Sequence, residues 1–420
     1  METEATRTGV LAFRHARVLP CTGADPLDDA TVVVEDGVIK DVVAGVSRVR
    51  ADDTVDCRGR TLMPGLIDAH VHVCSLDVEV GREQRDYPTS LLAYAIGRVI
   101  GQTLDQGYTT VRDAGGADWG MKEAVDRGLI SGPRMFVSGR PLSQTGGHGD
   151  SRSRAQDSVG CLCGAHLGMV DNIADGVDGV RRAVREQLRR GADAIKVMAS
   201  GGVASPTDKL ESLQYTDAEL AAAVEEAAHA GTYVLAHAYS AEAIRVAVEA
   251  GVRSIEHGNF LDEPTAALMA ERGTFLVPTF VAYEKLHEHG RALGFAPEKL
   301  AKLDDVLGAG LDGLQRAHDA GVRIASGSDL LGPLAVHKTR ELAIKAKVLG
   351  AAETLVATTR TNAELLGISA EVGTIEPGKR ADLLVVDGDP LADITVLQDL
   401  DKLSAIVKAG VFHKRALRRS

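Results

Sequence analysis

Cysteine is scarce, with five in 420 residues, an odd number and widely scattered. That argues against a disulfide framework and for reduced thiols. Cys161 and Cys163 lie close together, but no second Cys or His pair at zinc-finger spacing follows, so they read as loop thiols. Long apolar runs are missing too. No stretch approaches the length needed to span a membrane. The opening METEATRTGV lacks the basic and apolar regions of a secretory leader. The expectation is a cytoplasmic protein with no membrane partner. Positive charge is in deficit, with 47 Lys and Arg against 59 Asp and Glu and a net charge of −12. Phosphate backbones would be repelled, which argues against a nucleic-acid partner. The short basic end with Lys414, Arg415, Arg418 and Arg419 reads as a solvated tail. No short repeat or low-complexity stretch stands out.

What is present is the balance of a globular chain, 45% hydrophobic and 25% charged. Its length suits one large domain plus a smaller one. Residues 31–35 and 38–43 are strand-like and flank Asp36-Gly37, a type I′ hairpin signal. Residues 382–387 and 404–408 are strand-like as well, with a Glu376-Pro377-Gly378 turn before them. Sheet character at both ends suggests that the ends meet in one small domain. Between them, eight short apolar runs alternate with amphipathic helices. The runs are 66–73, 108–113, 134–138, 194–198, 233–237, 253–257, 274–278 and 323–326. Helical patterns include 177–190, 217–230, 241–250, 262–272, 310–320 and 337–348, and the second begins with a capping box, Thr216 to Glu219. Eight βα units in a row predict the α/β class. The expected fold is a (β/α)₈ TIM barrel with a small composite β-sandwich domain formed by the N- and C-terminal segments. The expected boundaries are 1–63 and 366–420 for the sandwich and 64–365 for the barrel. An open doubly wound sheet is the rival, but no G-x-G-x-x-G follows the first strand. The stretch 139–176 is long, polar and glycine-rich, and reads as a lid or substrate wall at the catalytic face.

The chemistry begins in PGLIDAHVHV, residues 64–73. Residues two apart in a strand share a face, so Asp68, His70 and His72 point the same way. Two imidazoles on an apolar strand are costly to bury without a partner, and a divalent metal is the natural one. Lys196 intrudes on the apolar strand ADAIKVM near its C-terminal end. Burial should lower its pKa, and a neutral amine can take up carbon dioxide to give a carbamate that ligates like a carboxylate. Alone, Lys196 reads equally as a lysine paired with a carboxylate. His237 and His257 each end an expected strand, and Asp329 follows the eighth. Together these residues place metal-ligand types at the ends of strands one, four, five, six and eight, where barrel enzymes keep their catalytic groups. Four imidazoles, a carbamate and a carboxylate suit zinc or a similar ion. His287 and His289 repeat the H-x-H spacing, but on a helix residues two apart do not face each other, so they read as surface histidines. His15, His229, His318, His337 and His413 read the same way.

His70, His72, Lys196, His237, His257 and Asp329, in that order and strand placement, resemble the amidohydrolase superfamily in its two-metal, carbamylated-lysine subtype. The tail VGTIEPGKRADLLVVD is similar to that superfamily's return to its sheet domain, so the resemblance spans nearly the whole chain. Gln144 to Gly149 (QTGGHG), His237-Ala238-Tyr239 and Gly201-Gly202 resemble one branch. That branch holds imidazolonepropionase-related and prolidase-like metallo-carboxypeptidases, with ochratoxinase-like amide hydrolases. The resemblance implies two divalent ions, most simply zinc, activating a shared hydroxide for attack on an amide carbonyl. It implies that His70, His72 and Asp329 hold the more buried ion and His237 and His257 the other, with carbamylated Lys196 between. Asp329 would carry the proton to the leaving nitrogen. His148 would bind substrate and stabilise the developing oxyanion. Tyr239 would bind the substrate's carboxylate, or equally pack at the barrel rim. Asp68 would play a supporting part. The implied substrate is a dipeptide or N-acyl amino acid, or else a xenobiotic amide, carbamate or urea, and the implied assembly is a homo-oligomer, in some relatives an octamer. Single-metal deamination and imidazolone ring opening are disfavoured, because no H-x-x-E follows His237 and Lys196 would have no task. A non-catalytic scaffold is the remote alternative, and such scaffolds lose ligands where this chain keeps all six.

Overall fold

The computed structural model describes residues 9–417 except 46, 48, 81, 83–85, 153–154, 156–166, 170–171 and 206–207. Cys161, Cys163, Arg418 and Arg419 therefore lie outside the described residues, as does the middle of the long stretch 139–176.

The two ends of the chain do share one sheet. β1 (Val10–Val18), β2 (Leu27–Glu35) and β3 (Val38–Ala44) form an antiparallel meander, while β4 (Asp53–Asp56) and β5 (Thr61–Pro64) run parallel to β1. Asp36 and Gly37 turn the β2–β3 hairpin with φ of 49° and 79°, the left-handed values that a type I′ turn demands. The parallel strands come next. They are β6 (Leu66–Val71), β7 (Tyr108–Asp113), β8 (Arg134–Val137), the short β9 (Leu142–Ser143) and β10 (Asn172–Ile173), β11 (Ile195–Met198), β12 (Val234–Ser240), β13 (Ser254–Phe260), β14 (Phe275–Val277) and β15 (Arg323–Ile324). Three C-terminal strands, β16 (Leu383–Val386), β17 (Leu403–Lys408) and β18 (Val411–Arg415), return to the first sheet, where β16 pairs antiparallel with β5. Leu383 and Val385 pack inside that sheet's own core with Phe13, Val32 and Ile39. Leu384 and Val386 point the other way, onto Met63, Leu66 and Ile100. An unbroken apolar strand is what burial on both faces requires.

The parallel strands run in the orders β6-β7-β8 and β10-β9-β11-β12-β13-β14-β15. Main-chain bonds link the two sets. Asp193 N donates to Val137 O (2.7 Å), Ala69 N to Ser326 O (2.9 Å) and Asp329 N to His70 O (2.8 Å). All eight expected strands are present. β9 and β10 are additional pairings at the borders of the long stretch, too short to give a period-2 signal. The first strand ends at Val71 instead of Val73, because Asp113 Oδ2 captures the Val73 N–H at 2.8 Å. Helices Gly176–Arg189, Asp217–His229, Ala241–Ala250 and Glu263–Arg272 fall within a residue of expectation. Helix Pro297–Asp319 is far longer than the expected 310–320, its first turns carrying little apolar periodicity. No described helix is long and apolar enough to cross a membrane.

The Thr216–Glu219 capping box is complete. The Thr216 hydroxyl accepts from the Glu219 N–H, and the Glu219 carboxylate accepts from the Thr216 N–H. Thr216→Ala is expected to cost about 1 kcal/mol, measured as a lower urea midpoint at unchanged slope. An unchanged midpoint would refute the contribution of the cap.

Candidate metal centre

His70 lies on β6 and His72 just past its end, and both are buried. The Nδ1 of His70 is 2.6 Å from Glu256 Oε2, and that of His72 is 2.8 Å from the Gly115 carbonyl. Those contacts fix the proton on Nδ1 and leave each Nε2 as a bare donor. Both Nε2 atoms face Asp329 Oδ1, at 3.4 Å and 3.2 Å. Three ligand atoms, one from each of these residues, lie within 4.8 Å of one another, a set that could hold a metal ion.

His257 and His237 complete the histidine cluster. The His257 ring centroid is 5.1 Å from that of His70 and 4.5 Å from that of His237. Its Nδ1 sits between Thr279 Oγ1 (2.8 Å) and Tyr283 Oη (2.9 Å), which leaves Nε2 free to ligate. His237 has the opposite arrangement, with Nε2 3.1 Å from the Gly201 carbonyl and Nδ1 left over. Register brings these residues level, since Met198 pairs with His237 and Ala238 with His257 along adjacent parallel strands. Asp329 (φ 52°) and His257 (φ 77°) both have left-handed backbones, unusual for non-glycine residues and common where function constrains geometry. A β-carbon on Gly327 would stand 2.4 Å from His70 Cβ, so only glycine lets the segment before Asp329 approach β6 this closely.

The electrostatics favour ligation. Burial, with Lys196 and neighbouring histidines, pulls His70 and His237 well below the ordinary imidazole range, and burial brings His257 down to about 3. These three are neutral donors at neutral pH. His72 differs. Burial pulls it down, but its hydrogen bond and proximity to Asp329 carry it above the usual value. Burial also opposes ionisation of Asp329, yet His70, His72 and His257 hold its carboxyl well below the usual range. Lys196 is buried on β11 and pulled down to about 8, burial outweighing the opposing pull of Glu256 and Asp329.

His148 stacks on His237 with ring centroids 4.3 Å apart and planes 17° apart. It also lines a cavity of about 550 Å³ shared with Asp150, Met169, Met198, Phe295 and Lys299. Tyr239 stacks on His257 at 5.1 Å, but its hydroxyl donates to Tyr283 Oη (3.0 Å), and the residue is not among those lining that cavity. A larger hollow of about 770 Å³, between Asn172–Asp175 and Arg182–Arg189, holds none of these residues. His287 lies on helix Phe280–Gly290, exposed and paired with Asp304.

Sequence reasoning missed the buried support. Glu256 accepts from His70 on one oxygen and from Arg112 Nη2 (2.8 Å) and Ser254 Oγ (2.6 Å) on the other. Arg112 is fully buried and also donates to the Ala69 carbonyl (2.6 Å) and Ser254 Oγ (3.1 Å). Charged residues in the apolar runs YTTVRD and RSIEHG were the available signal. Asp68 does support the site. It accepts from Ser328 N and Oγ (3.0 and 2.6 Å) beside Asp329, and Lys338 Nζ lies 3.6 Å away.

A model of the amidohydrolase family matches residues 61–412. The chain belongs to the amidohydrolase family. It is a hydrolase acting on amide bonds. It is 34% identical to an ochratoxinase of Aspergillus niger over 95% of this chain and 86% of that one. Among solved structures it is similar to a prolidase complexed with N-methylphosphonate-L-proline, with TM-score 0.93 and 43% identity, covering 97% of this chain and 100% of that one. It is also similar to a Xaa-Pro dipeptidase with bound methionine in the active site. That match has TM-score 0.87 and 29% identity, covering 96% and 100%.

Glu256→Gln leaves the shape of the support but removes the charge facing His70 and Arg112. Divalent-metal affinity is expected to fall by about tenfold to a hundredfold, measured by competition with a chromogenic chelator. Unchanged affinity would show that Glu256 does not tune the site.

Proposed function

We propose that the protein is a metal-dependent dipeptidase or N-acyl-amino-acid hydrolase. In this reading two divalent ions, zinc by the chemistry of the ligands, are held by His70, His72, Lys196 as its carbamate, His237, His257 and Asp329. The reading places them at the C-terminal mouth of a closed (β/α)₈ barrel spanning 64–365. The segments 1–63 and 366–420 form the flanking sandwich. The bonds from Asp193 to Val137 and from Ala69 to Ser326 support closure, since they join the two sets of parallel strands at both seams. One observation carries the assignment. Residues from four separate strand ends converge, His70 and His72, His237, His257 and Asp329, with the Nε2 atoms of His70 and His72 turned toward one carboxylate.

Divalent ions at these ligands would supply Lewis-acid polarisation of an amide carbonyl and acidify water. The remaining chemistry belongs to the chain. Asp329 lies against the rings of His70 and His72, a place from which its carboxylate can accept a proton from the attacking water and pass it to the leaving nitrogen. His148 faces both the cavity and the His237 ring, a position from which its ring can hydrogen-bond the substrate. Lys196 sits where a free amine is accessible near neutral pH, as carbamate formation needs. The likeness to a prolidase and a Xaa-Pro dipeptidase favours a substrate with a free carboxylate. An aryl amide is the second reading, favoured by the ochratoxinase likeness and by Met169, Met198 and Phe295 in the cavity wall.

A panel of Xaa-Pro and other dipeptides, N-acyl amino acids, aryl amides, carbamates and ureas tests the function. Turnover of the first two groups is expected. Failure on all groups, with less than about one ion bound per chain, would favour a scaffold. Lys196→Ala is expected to lose metal and activity together, with partial rescue by short carboxylic acids. Full activity without rescue would remove the carbamate.

A further inference from the structure

Beside His148 lies a buried carboxylate that the reaction above does not use. Asp208 is 4% exposed in its side chain, and its Oδ2 lies 3.4 Å from His148 Nδ1. The same oxygen accepts from Gln214 Nε2 at 3.1 Å, and Gln214 Oε1 accepts the main-chain N–H of His148 at 2.7 Å. His148 is thus gripped at its ring by Asp208 and at its backbone by Gln214, and the two grips are tied to each other. From helix Pro297–Asp319, Lys302 Nζ donates to the carbonyls of Gly202 (3.0 Å), Ser205 (3.1 Å) and Asp208 (2.7 Å), and it stands 3.6 Å from Asp208 Oδ1. Gly202 is packed so tightly against the ring that a β-carbon there would lie 2.2 Å from His148 Cε1. Nothing bulkier fits between Gly202 and the imidazole.

We infer that Asp208 is the positioning residue for His148, holding Nδ1 toward itself so that Nε2 is the nitrogen presented to substrate. The inference rests on the proposed substrate role of His148 and deepens it. A histidine on a glycine-rich turn can rotate about two side-chain bonds, and stacking on His237 limits tilt but not which nitrogen faces the cavity. A buried carboxylate settles that choice, because an N–H must face it and the other nitrogen then points away. At 3.4 Å the contact is longer than a hydrogen bond, and contacts of this kind close when substrate arrives. Gln214 contributes register, since moving Asp208 would also move the backbone grip. Lys302 serves as the clamp. Its charge and three carbonyl bonds hold the Asp208 segment at a fixed height, and they compensate the carboxylate for burial.

The test uses full-length, metal-loaded enzyme and the fastest substrate of the panel. In Asp208→Asn, kcat is expected to fall by about tenfold to a hundredfold, the usual consequence of a group displaced by about an ångström. KM, metal content and thermal midpoint should stay near wild type. In a His148→Ala background, Asp208→Asn is expected to have no further effect on kcat, because it acts only through the missing ring. Nitrogen-15 NMR of the His148 ring should show a single tautomer, with the proton on Nδ1, in the wild type and a mixture of tautomers in Asp208→Ala. An equal loss of kcat in both backgrounds overturns the inference, and so does an Asp208→Ala enzyme whose His148 ring keeps the same single tautomer. A His148→Ala enzyme with full kcat refutes the substrate role itself. That failure is distinguishable, because the ring tautomer in Asp208→Ala still reports on the grip.

Discussion

A carboxylate taken out of water stays ionised only if its surroundings supply more than solvent did. Asp329 lies among imidazoles from β6 and its end and from β13, where a bound cation would meet that condition. Its Oδ1 faces His70 and His72, and its Oδ2 is 3.9 Å from His257 Nδ1. Its own N–H is bonded to the carbonyl of His70. The side chain and backbone of one residue therefore bind the end of the parallel series to its beginning. The residue beside the histidines is thus also the one that ties the segment after β15 to β6.

Strand geometry alone would not let Glu256 and His257, consecutive on β13, both approach His70. Neighbours along a strand point to opposite faces. Glu256 obeys that rule and reaches His70 Nδ1 from within, with Arg112 behind it. His257 breaks the rule. Its left-handed backbone, followed by Gly258 at φ 70°, re-aims the ring toward the cluster. Local strain is thus the means by which two adjacent side chains serve one neighbour, one orienting the ring and the other joining it. Arg112 adds a second constraint. A fully buried guanidinium needs its charge and its donors answered, and Glu256, Ser254 and the Ala69 carbonyl answer them. The layer beneath the histidines is held by buried charges and is intolerant of rearrangement.

These observations explain what was legible in the sequence. Histidine and lysine inside apolar strands stand out because burial is costly for them, so His70, His72, Lys196, His237 and His257 were visible one by one, and Asp329 by its place after the last strand. Glu256 and Arg112 were equally costly to bury, yet they were not read, because their meaning lies in a pairing between strands 144 residues apart. The strands themselves were legible from apolar runs. Their ends were less so, since capture of the Val73 N–H by Asp113 is a tertiary event. Tyr239 shows the same limit. It lies on β12, and its hydroxyl is engaged by Tyr283, a residue 44 positions later in the chain, a contact that no local pattern announces.

The two walls of the site differ in how they are built, and the difference bears on specificity. The ligand wall is made of strand ends and buried bonds, and its residues fix each other. The substrate wall comes from loops, where His148 rests on glycines and is held by Asp208, Gln214 and Lys302 through a handful of polar contacts. Changing a residue of the first wall disturbs buried charges that answer one another, as Glu256 and Arg112 do. Changing the second alters cavity shape and leaves the ligand set untouched. A family whose members act on different amides can therefore vary the loops after its strands while keeping the histidine cluster. In the proposed reading His148, stacked on His237 yet mounted on a loop, is the element that would couple a change of substrate to the bond-breaking centre.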